Sequence, residues 1–253
     1  MEQQLAAMNP STRFSNRVEN YVKYRPSYPA AIVPFLERTI GLQPAHRIAD
    51  IGSGTGLFSE LFLKNGYKVT GIEPNEDMRR ESEKKLAKYI GFTSRSHRAE
   101  HTGLRNHSVD LVTVAQAFHW IDAEAAKKEF ARVLKPGGHI VLAWNIRLKS
   151  SPFLLAYALL KQEFGIDHQH IRQADEPAIQ SFYDPLLVHK ESFENKQVLD
   201  FDALKGQLLS SSYIPLPGHP RYEAMITKLA ALFVAHNDKG FVKMEFETKI
   251  FFN

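Results

Sequence analysis

The sequence predicts an α/β fold with a doubly wound sheet that is mostly parallel and has an antiparallel C-terminal strand. Between about residues 46 and 145, segments with strand-like and helix-like patterns alternate. Several of the strand-like segments are continuous apolar runs, which is typical of parallel strands buried on both faces. The final segment instead alternates apolar and polar residues, as an antiparallel strand with one buried side does.

The segments of the central region follow one another in a regular order. Two of them are predicted helices, TGLFSELFLKNG (55–66), which Gly66 closes, and NEDMRRESEKKLAKY (75–89), which Asn75 caps. Asp122 caps a third helix, which KPGG (135–138) ends. The predicted strands are RIADI (47–51), YKVTGIE (67–73), GFTSRSH (91–97), VDLVTVAQAF (109–118) and HIVLAW (139–144).

The C-terminal region has a different character. A helix is predicted over 151–165, with Ser151 as its cap and Pro152 in its first turn, and residues 166–187 are polar and irregular. Residues 189–199 are a candidate strand, and 201–210 and 220–236 have helical patterns. The last strand, 243–252, has one apolar face, which consists of Met244, Phe246, Thr248, Ile250 and Phe252.

These patterns predict a single domain over residues 1–253. Residues 1–45 are an N-terminal helical cover, and 46–145 form the core, which we expect to bind a ligand. Residues 146–187 are a lid insertion after the fifth strand, and 188–253 complete the sheet. Ligands of doubly wound sheets bind beyond the carboxyl ends of the strands. We therefore expect the cover and the insertion to close over a site at that edge.

Composition excludes several classes of function. The net charge of +4 is spread along the chain without a dense basic block, so we expect neither nucleic-acid nor membrane binding. There is no cysteine, and the histidines His97, His101, His107 and those of DHQH (167–170) form no zinc-binding H-E-x-x-H motif, so we expect no metal. The start, MEQQLAAMNP, does not resemble a secretory signal, and the longest apolar run, FLLAYALL (153–160), is too short to span a bilayer. A cytoplasmic location is the default expectation.

The stretch ADIGSGTG (49–56) places three glycines where the first strand turns into a helix. A nicotinamide-cofactor fingerprint would need its third glycine at position 57, which is leucine. Acids recur near the ends of successive strands, as Asp50, Glu73 and Glu100. Such acids would oppose a pyrophosphate but favour S-adenosyl-L-methionine, which is net cationic. The sequence therefore predicts S-adenosyl-L-methionine as the cofactor.

The chain resembles the class I, S-adenosylmethionine-dependent methyltransferases, which have a Rossmann-like fold. The motifs that carry the resemblance cover about residues 46–145 and are ADIGSGTG (49–56), GIEPNEDM (71–78), AEHTGL (99–104), VDLVTVAQAFHWID (109–122) and LKPGGHIVL (134–142). VKYRPSYP (22–29) and FHWID (118–122) are more similar to the small-molecule branch related to trans-aconitate and ubiquinone/menaquinone-biosynthesis methyltransferases.

The resemblance assigns roles around the cofactor. The backbone of Gly52, Ser53 and Gly54 passes the methionine part, and Asp50 attracts its ammonium directly or through water. Glu73 accepts hydrogen bonds from both ribose hydroxyls. The residues predicted around the adenine are Pro74, Met78, Ala99 and Glu100, and Gln116 is predicted at the amino group. Tyr24 and Arg25, with Tyr21, lie in a segment that would fold over the cofactor. Arg25 would meet the methionine carboxylate. Met78 is equally compatible with plain core, and Glu100 with a solvated loop acid.

The catalytic candidates are His119 and Trp120, which begin the loop facing the methyl group. His119 can act as a base, bind substrate or cap the helix that starts at Asp122. Arg147, Tyr213 and His219, with Lys149, are candidates for the acceptor pocket. The predicted function is methyl transfer to the O atom, C atom or carboxyl group of a small molecule. The alternatives are a non-catalytic protein that binds the cofactor and, more distantly, an NAD-dependent oxidoreductase. The sequence does not indicate the oligomeric state.

Overall fold

The computed structural model describes residues 17–166, 176–183 and 188–253. Its strands are β1 Arg47–Ile51, β2 Lys68–Ile72, β3 Phe92–Arg95, β4 Val109–Ala115, β5 Leu134–Arg147, β6 His189–Leu199 and β7 Val242–Phe252. Its α-helices are α1 Val18–Tyr24, α2 Ile32–Ile40, α3 Leu57–Leu63, α4 Glu76–Leu86, α5 Ala123–Val133, α6 Pro152–Phe164, α7 Glu176–Phe182, α8 Phe201–Leu209 and α9 Tyr222–His236, with a 3-10 turn at Phe118–Trp120.

The described strands form one seven-stranded sheet in the order β3-β2-β1-β4-β5-β7-β6. β1 pairs in parallel with β2 and with β4, so that Asp50 lies between Gly71 and Thr113. β3 and β5 extend the parallel part on either side, and the C-terminal strands are antiparallel. The predicted fold class is therefore confirmed. The strand order reverses between β1 and β4, and the carboxyl end of such a reversal is where doubly wound sheets bind their ligands.

The chain divides into two compact units. The sheet unit contains the described residues of 27–145, 172–193 and 248–253, and the helical unit contains those of 1–26, 146–171 and 194–247. In the sheet unit, neighbouring residues of β1 such as Ile48 and Ala49 belong to two different buried clusters. Successive strand residues point to opposite faces, so this sheet is buried on both sides. The helical unit has its own core, to which α6, α8, α9 and the first half of β7 contribute.

Local signals predicted many of these elements closely. β1 and β6 have the predicted bounds, and the last strand buries the predicted face. Three predicted N-caps accept a backbone hydrogen bond: Asn75 from Met78, Asp122 from Ala125 and Ser151 from Leu154. These caps hold the first turns of α4, α5 and α6 because they satisfy amide groups that have no partner within the helix.

Two predictions about elements were wrong. KPGG does not end a helix, because α5 ends at Val133 and β5 begins at Leu134, so that KPGG lies within the strand. The region 166–187 is not irregular throughout, since α7 lies within it and buries Ile179 and Phe182. Residues 1–16, which include MEQQLAAMNP, and the DHQH histidines lie outside the described residues. The roles of 1–45 as a cover and of 146–187 as a lid stay predictions.

No helix in the described part of the chain combines the length and the apolar character needed to cross a membrane.

Candidate active site

The glycine loop (residues 52–56) connects β1 to α3 with backbone that ordinary residues rarely adopt. Gly52 and Gly54 have φ of 62° and 55°, in the left-handed region that favours glycine. A Cβ atom at Gly52 would lie 2.5 Å from the Cβ of Ala117, so this part of the loop packs directly on the chain after β4. A Cβ atom at Gly54 would meet nothing within 4 Å. Gly54 therefore presents bare main chain to open space, as close approach of a ligand requires.

Glu73 follows β2 and joins the end of that strand to the glycine loop. Its Oε2 accepts a hydrogen bond from the Gly54 amide at 2.8 Å, and its Oε1 accepts one from the Asn75 amide at 2.8 Å. The side chain is 8% exposed, and burial raises the pKa of its carboxyl group against the opposing effect of these two bonds. A carboxylate offers about four lone-pair sites. Two remain for further donors, which matches the pair of hydroxyls on a ribose.

Asp50 lies beneath the loop and is 1% exposed. Its Oδ2 accepts from the Ser59 hydroxyl at 2.5 Å and its Oδ1 from the Thr113 hydroxyl at 2.8 Å, so it ties β1 to α3 and β4. Burial raises the pKa of this carboxyl to about 6, although the hydroxyl bonds act in the opposite direction. A neighbouring ion would therefore readily change the protonation of this carboxyl group near neutral pH. Its attraction of an ammonium group stays a prediction.

Two hydroxyl groups of the glycine loop are buried without a hydrogen-bond partner among the described residues. They belong to Ser53, which the sequence singled out, and Thr55, which it did not. A buried hydroxyl that makes no hydrogen bond costs free energy, and a polar ligand at the loop would supply partners. Together with the open face of Gly54 and the free lone pairs of Glu73, these groups fit an adenosyl cofactor. The signal for Thr55 was its place inside the glycine motif.

The predicted adenine residues lie around the ends of β2 and β3. Pro74 and Asn75 follow Glu73, and Met78 is buried in the first turn of α4. Ala99 is buried, whereas Glu100 uses one carboxylate oxygen, Oε1, to accept from the Asp122 amide at 2.9 Å. Glu100 therefore also holds the chain at the start of α5, a role that the sequence did not predict. Its second oxygen forms no hydrogen bond within the described part of the chain.

Gln116 follows β4 with a φ of 58°. A residue other than glycine rarely adopts this conformation, and such strain is concentrated at functional sites. Two hydrogen bonds hold it: its amide donates to the Ala143 carbonyl at 2.9 Å, and its side-chain amide donates to the Asn145 carbonyl at 3.1 Å. The turn brings the next residue, Ala117, against Gly52. The contact of the Gln116 carbonyl with the amino group of the cofactor stays a prediction.

His119 and Trp120 lie in the 3-10 turn after Gln116. Their ring centroids are 4.9 Å apart, and the His119 Nδ1 is buried without a hydrogen-bond partner among the described residues. Burial lowers the pKa of His119 to about 4. At neutral pH the imidazole is therefore uncharged, and one ring nitrogen remains available to a ligand.

The other predicted residues lie in the helical unit. Arg25 donates to the Ser210 carbonyl at 3.0 Å, and its guanidinium lies 4.8 Å from the Tyr21 ring centre. Tyr24 packs against Gly206, where a Cβ atom would lie 2.1 Å from the ring. The charges of Arg25 and Arg147 both lower the pKa of Tyr213, which burial raises, so these three side chains lie near one another.

His219 is held differently, because its Nδ1 accepts from the Arg221 amide at 3.1 Å, just before α9. This bond gives His219 a local structural role and does not join it to the arginines. The sequence missed Lys161, which lies on α6 and donates to the Ser211 hydroxyl at 3.0 Å. A lysine at the polar end of an apolar helix gives no signal of burial.

Within residues 17–166, 176–183 and 188–253, no group of three or more histidine, aspartate or glutamate side chains could hold a metal ion.

Residues 49–142 match a family described as a methyltransferase domain. An uncharacterized methyltransferase of Mycobacterium tuberculosis is 36% identical over 137 residues, which are 54% of this chain and 54% of the relative. The ubiquinone biosynthesis O-methyltransferase of Vibrio parahaemolyticus is 34% identical over 146 residues, which are 53% of this chain and 60% of the relative. The chain thus spans about half the length of the curated relatives it matches.

Two solved structures have a similar fold. A protein from Anaeromyxobacter dehalogenans, provisionally classed as a type II methyltransferase, matches with a TM-score of 0.66 at 22% identity, over 91% of this chain and 97% of that one. Phospholethanolamine N-methyltransferase 2 from Haemonchus contortus was solved with phosphomonomethylethanolamine and S-adenosylhomocysteine. It matches with a TM-score of 0.56 at 15% identity, over 94% of this chain and 56% of that one. Residues 49–142 are thus similar to a methyltransferase domain, and the chain has a fold similar to that of these two solved structures.

Proposed function

We propose that the chain transfers a methyl group from S-adenosyl-L-methionine to a small-molecule acceptor. The observation that carries the proposal is the Glu73 clamp: a buried carboxylate fixed by Gly54 and Asn75 amides, with two lone-pair sites left. A vicinal diol has the two donors that would use these sites. The neighbouring face of Gly54 is open, so a diol-bearing ligand can approach the main chain there.

The residues of the sheet unit have distinct tasks in this proposal. Glu73 orients the ribose, and Gly52, Ser53 and Gly54 line the methionine part. Asp50 supplies negative charge near the ammonium, and the Gln116 carbonyl accepts a hydrogen bond from that group. The adenine lies against Pro74, Met78, Ala99 and the free oxygen of Glu100.

The chemistry supplied by the bound donor is a methyl group on a sulfonium, which leaves by in-line displacement. The chain therefore has to hold the acceptor at attack distance and exclude water. His119 and Trp120 are proposed to contact the acceptor near the methyl group. Because His119 is uncharged at neutral pH, it can accept a proton from an acceptor that must lose one, or a hydrogen bond from one that need not.

The remaining predicted residues also have proposed contacts. Tyr24 and Arg25 are assigned to the cofactor, where Arg25 meets the methionine carboxylate. Arg147, Tyr213 and His219 are assigned to the acceptor. The burial of Arg147 and Tyr213 supports the assignment of these two residues.

Calorimetry and turnover test the proposal in two steps. The purified protein is titrated with S-adenosylmethionine, S-adenosylhomocysteine and NAD, and we expect binding of the first two only. Transfer of a labelled methyl group is then measured over a panel of small phenols, amines and carboxylic acids, with at least one acceptor expected to be modified. Tight NAD binding would refute the cofactor assignment. Binding without turnover on the whole panel would favour a non-catalytic binding protein.

A further inference from the structure

Three cationic side chains of the helical unit lie within electrostatic range of one another. Arg25 follows α1, Arg147 ends β5 and Lys161 lies on α6. Both arginine charges lower the pKa of the Lys161 ammonium, an effect that falls off with distance. No carboxylate of the described residues forms an ion pair with any of the three. Like charges gathered in a protein interior are unfavourable unless something neutralises them.

Arg147 is surrounded by groups that carry no charge. Its Nε donates to the Met244 sulfur at 3.1 Å, and one Nη lies 3.4 Å from the Gln207 Oε1. Its guanidinium lies 4.9 Å from the Tyr157 ring centre. A guanidinium can make five hydrogen bonds in a planar fork, and these neutral contacts use few of them. Donors thus remain for a ligand.

Lys161 is 8% exposed and has an equally neutral environment. Its ammonium donates to the Ser211 hydroxyl at 3.0 Å and lies 4.9 Å from the Tyr213 ring centre. Burial and the two arginine charges lower its pKa well below the usual value for lysine. An aromatic face attracts a cation without neutralising it. An anion placed next to Lys161 would therefore stabilise its charged form.

We propose that Arg147 and Lys161, with Tyr213 beside them, bind a carboxylate group of the methyl acceptor, which is therefore a carboxylic acid. This inference rests on the methyltransferase function proposed above and extends it to the class of substrate. The arginine fork matches the two oxygens of a carboxylate, and the ammonium adds a point charge. A bound carboxylate would offset the repulsion among the three cations. Nothing else among the described groups does so.

The donor offers a second source of the same chemistry, because its methionine end also carries a carboxylate. Arg25 is the residue assigned to that group, so the experiment substitutes Arg147 and Lys161 only. The variants are Arg147→Gln and Lys161→Met, which keep length and remove charge. Lys228→Met is the matched control, because Lys228 lies on α9 in the same unit with 54% of its side chain exposed.

The first measurement is calorimetry of the full chain with acetate, succinate, citrate and inorganic phosphate, each in the presence of S-adenosylhomocysteine. We expect at least one carboxylate to bind the unaltered protein. Arg147→Gln and Lys161→Met should each weaken this binding tenfold or more, and Lys228→Met should leave it unchanged.

The stability of the variants separates binding from misfolding. Lys161→Met removes a buried charge that lacks an ionic partner, so its melting temperature without ligand should equal or exceed that of the unaltered protein. A variant that is at least as stable and yet fails to bind the carboxylate supports the site.

Several results would overturn the inference. If S-adenosylhomocysteine binds but no carboxylate does, or if only phosphate binds, the acceptor is not recognised as a carboxylic acid here. If the two variants weaken S-adenosylhomocysteine but not 5′-methylthioadenosine, which lacks a carboxylate, the site belongs to the donor. If the unaltered protein binds no S-adenosylhomocysteine, the methyltransferase proposal fails and the acceptor assignment fails with it, whereas carboxylate binding is still measured directly.

Discussion

Replacement of Glu73 by alanine tests the proposed ribose contact most directly. The side chain would lose both acceptor atoms that a diol requires, and hydrogen bonds to a charged group contribute about 1.5–3 kcal/mol each. Part of this is offset, because Glu73→Ala also frees the Gly54 and Asn75 amides, which can then bond to water. We therefore expect the affinity for S-adenosylhomocysteine to fall by about 1–3 kcal/mol, which corresponds to roughly 5- to 150-fold.

The assay is calorimetric titration of the unaltered protein and of Glu73→Ala with S-adenosylhomocysteine and with its 2′-deoxy analogue. If Glu73 binds the ribose hydroxyls, the deoxy analogue has already lost much of the interaction, and the substitution should cost less with it. The two changes would then be non-additive, as expected for groups in contact. Glu76→Gln is the control, because Glu76 lies at the exposed start of α4, where it pairs with Arg80 at 2.5 Å.

The reasoning is refuted if Glu73→Ala weakens the analogue and the parent compound equally. In that case the carboxylate supports the glycine loop without contacting the ribose. Unchanged affinity for both ligands, with Glu76→Gln also unchanged, would remove Glu73 from the site altogether.

The remaining predictions concern the loop and two buried acids. Gly54→Ala should weaken the binding of S-adenosylhomocysteine, measured by calorimetry, and its positive φ should lower the free energy of unfolding by about 1 kcal/mol. Gly52→Ala should lower the free energy of unfolding further, measured by urea unfolding, because its Cβ atom would clash with that of Ala117. The pKa of Asp50 in the folded protein is raised to about 6. Between about pH 4 and pH 6 the folded protein therefore holds a proton that the unfolded chain has released. The free energy of unfolding should fall by about 3 kcal/mol as the pH rises through this range. Asp50→Asn should remove this dependence of stability on pH, and an unchanged pH dependence in the variant would contradict the prediction. Glu129, hydrogen-bonded to Arg132 and to Thr102, has its pKa lowered to about 2. Glu129→Gln should therefore destabilise by about 1–3 kcal/mol at pH 7, a loss that shrinks as pH falls from 4.5 towards 2.

The sequence predicted those features that depend on neighbouring residues in the chain. The caps Asn75, Asp122 and Ser151 act on amides three residues ahead, so their chemistry is visible in a short window. The glycine loop and Glu73 also lie in compact motifs that a short window reveals, and their roles at a cofactor stay predictions. The regular alternation of strand-like and helix-like segments predicted the fold class, which the structure confirmed.

Features that depend on distant contacts were not predicted. α7 is only seven residues long, and its burial comes from packing of Ile179 and Phe182 against the core of the sheet unit. The hydrogen bond from the Asp122 amide to Glu100 joins residues 22 positions apart, and no local pattern encodes it. Lys161 resembles a surface lysine in the sequence, because its neighbours Ser211 and Tyr213 are about 50 residues away.

The Glu73 clamp also bears on how fast a nucleoside can associate. Both oxygens are already anchored to the main chain, so the turn that would receive the sugar is shaped before any encounter. Little chain entropy is then left to lose on contact, and no slow ordering step at this turn should follow the collision. Stopped-flow traces with an adenosyl ligand should accordingly show an observed rate that rises linearly with concentration and does not level off.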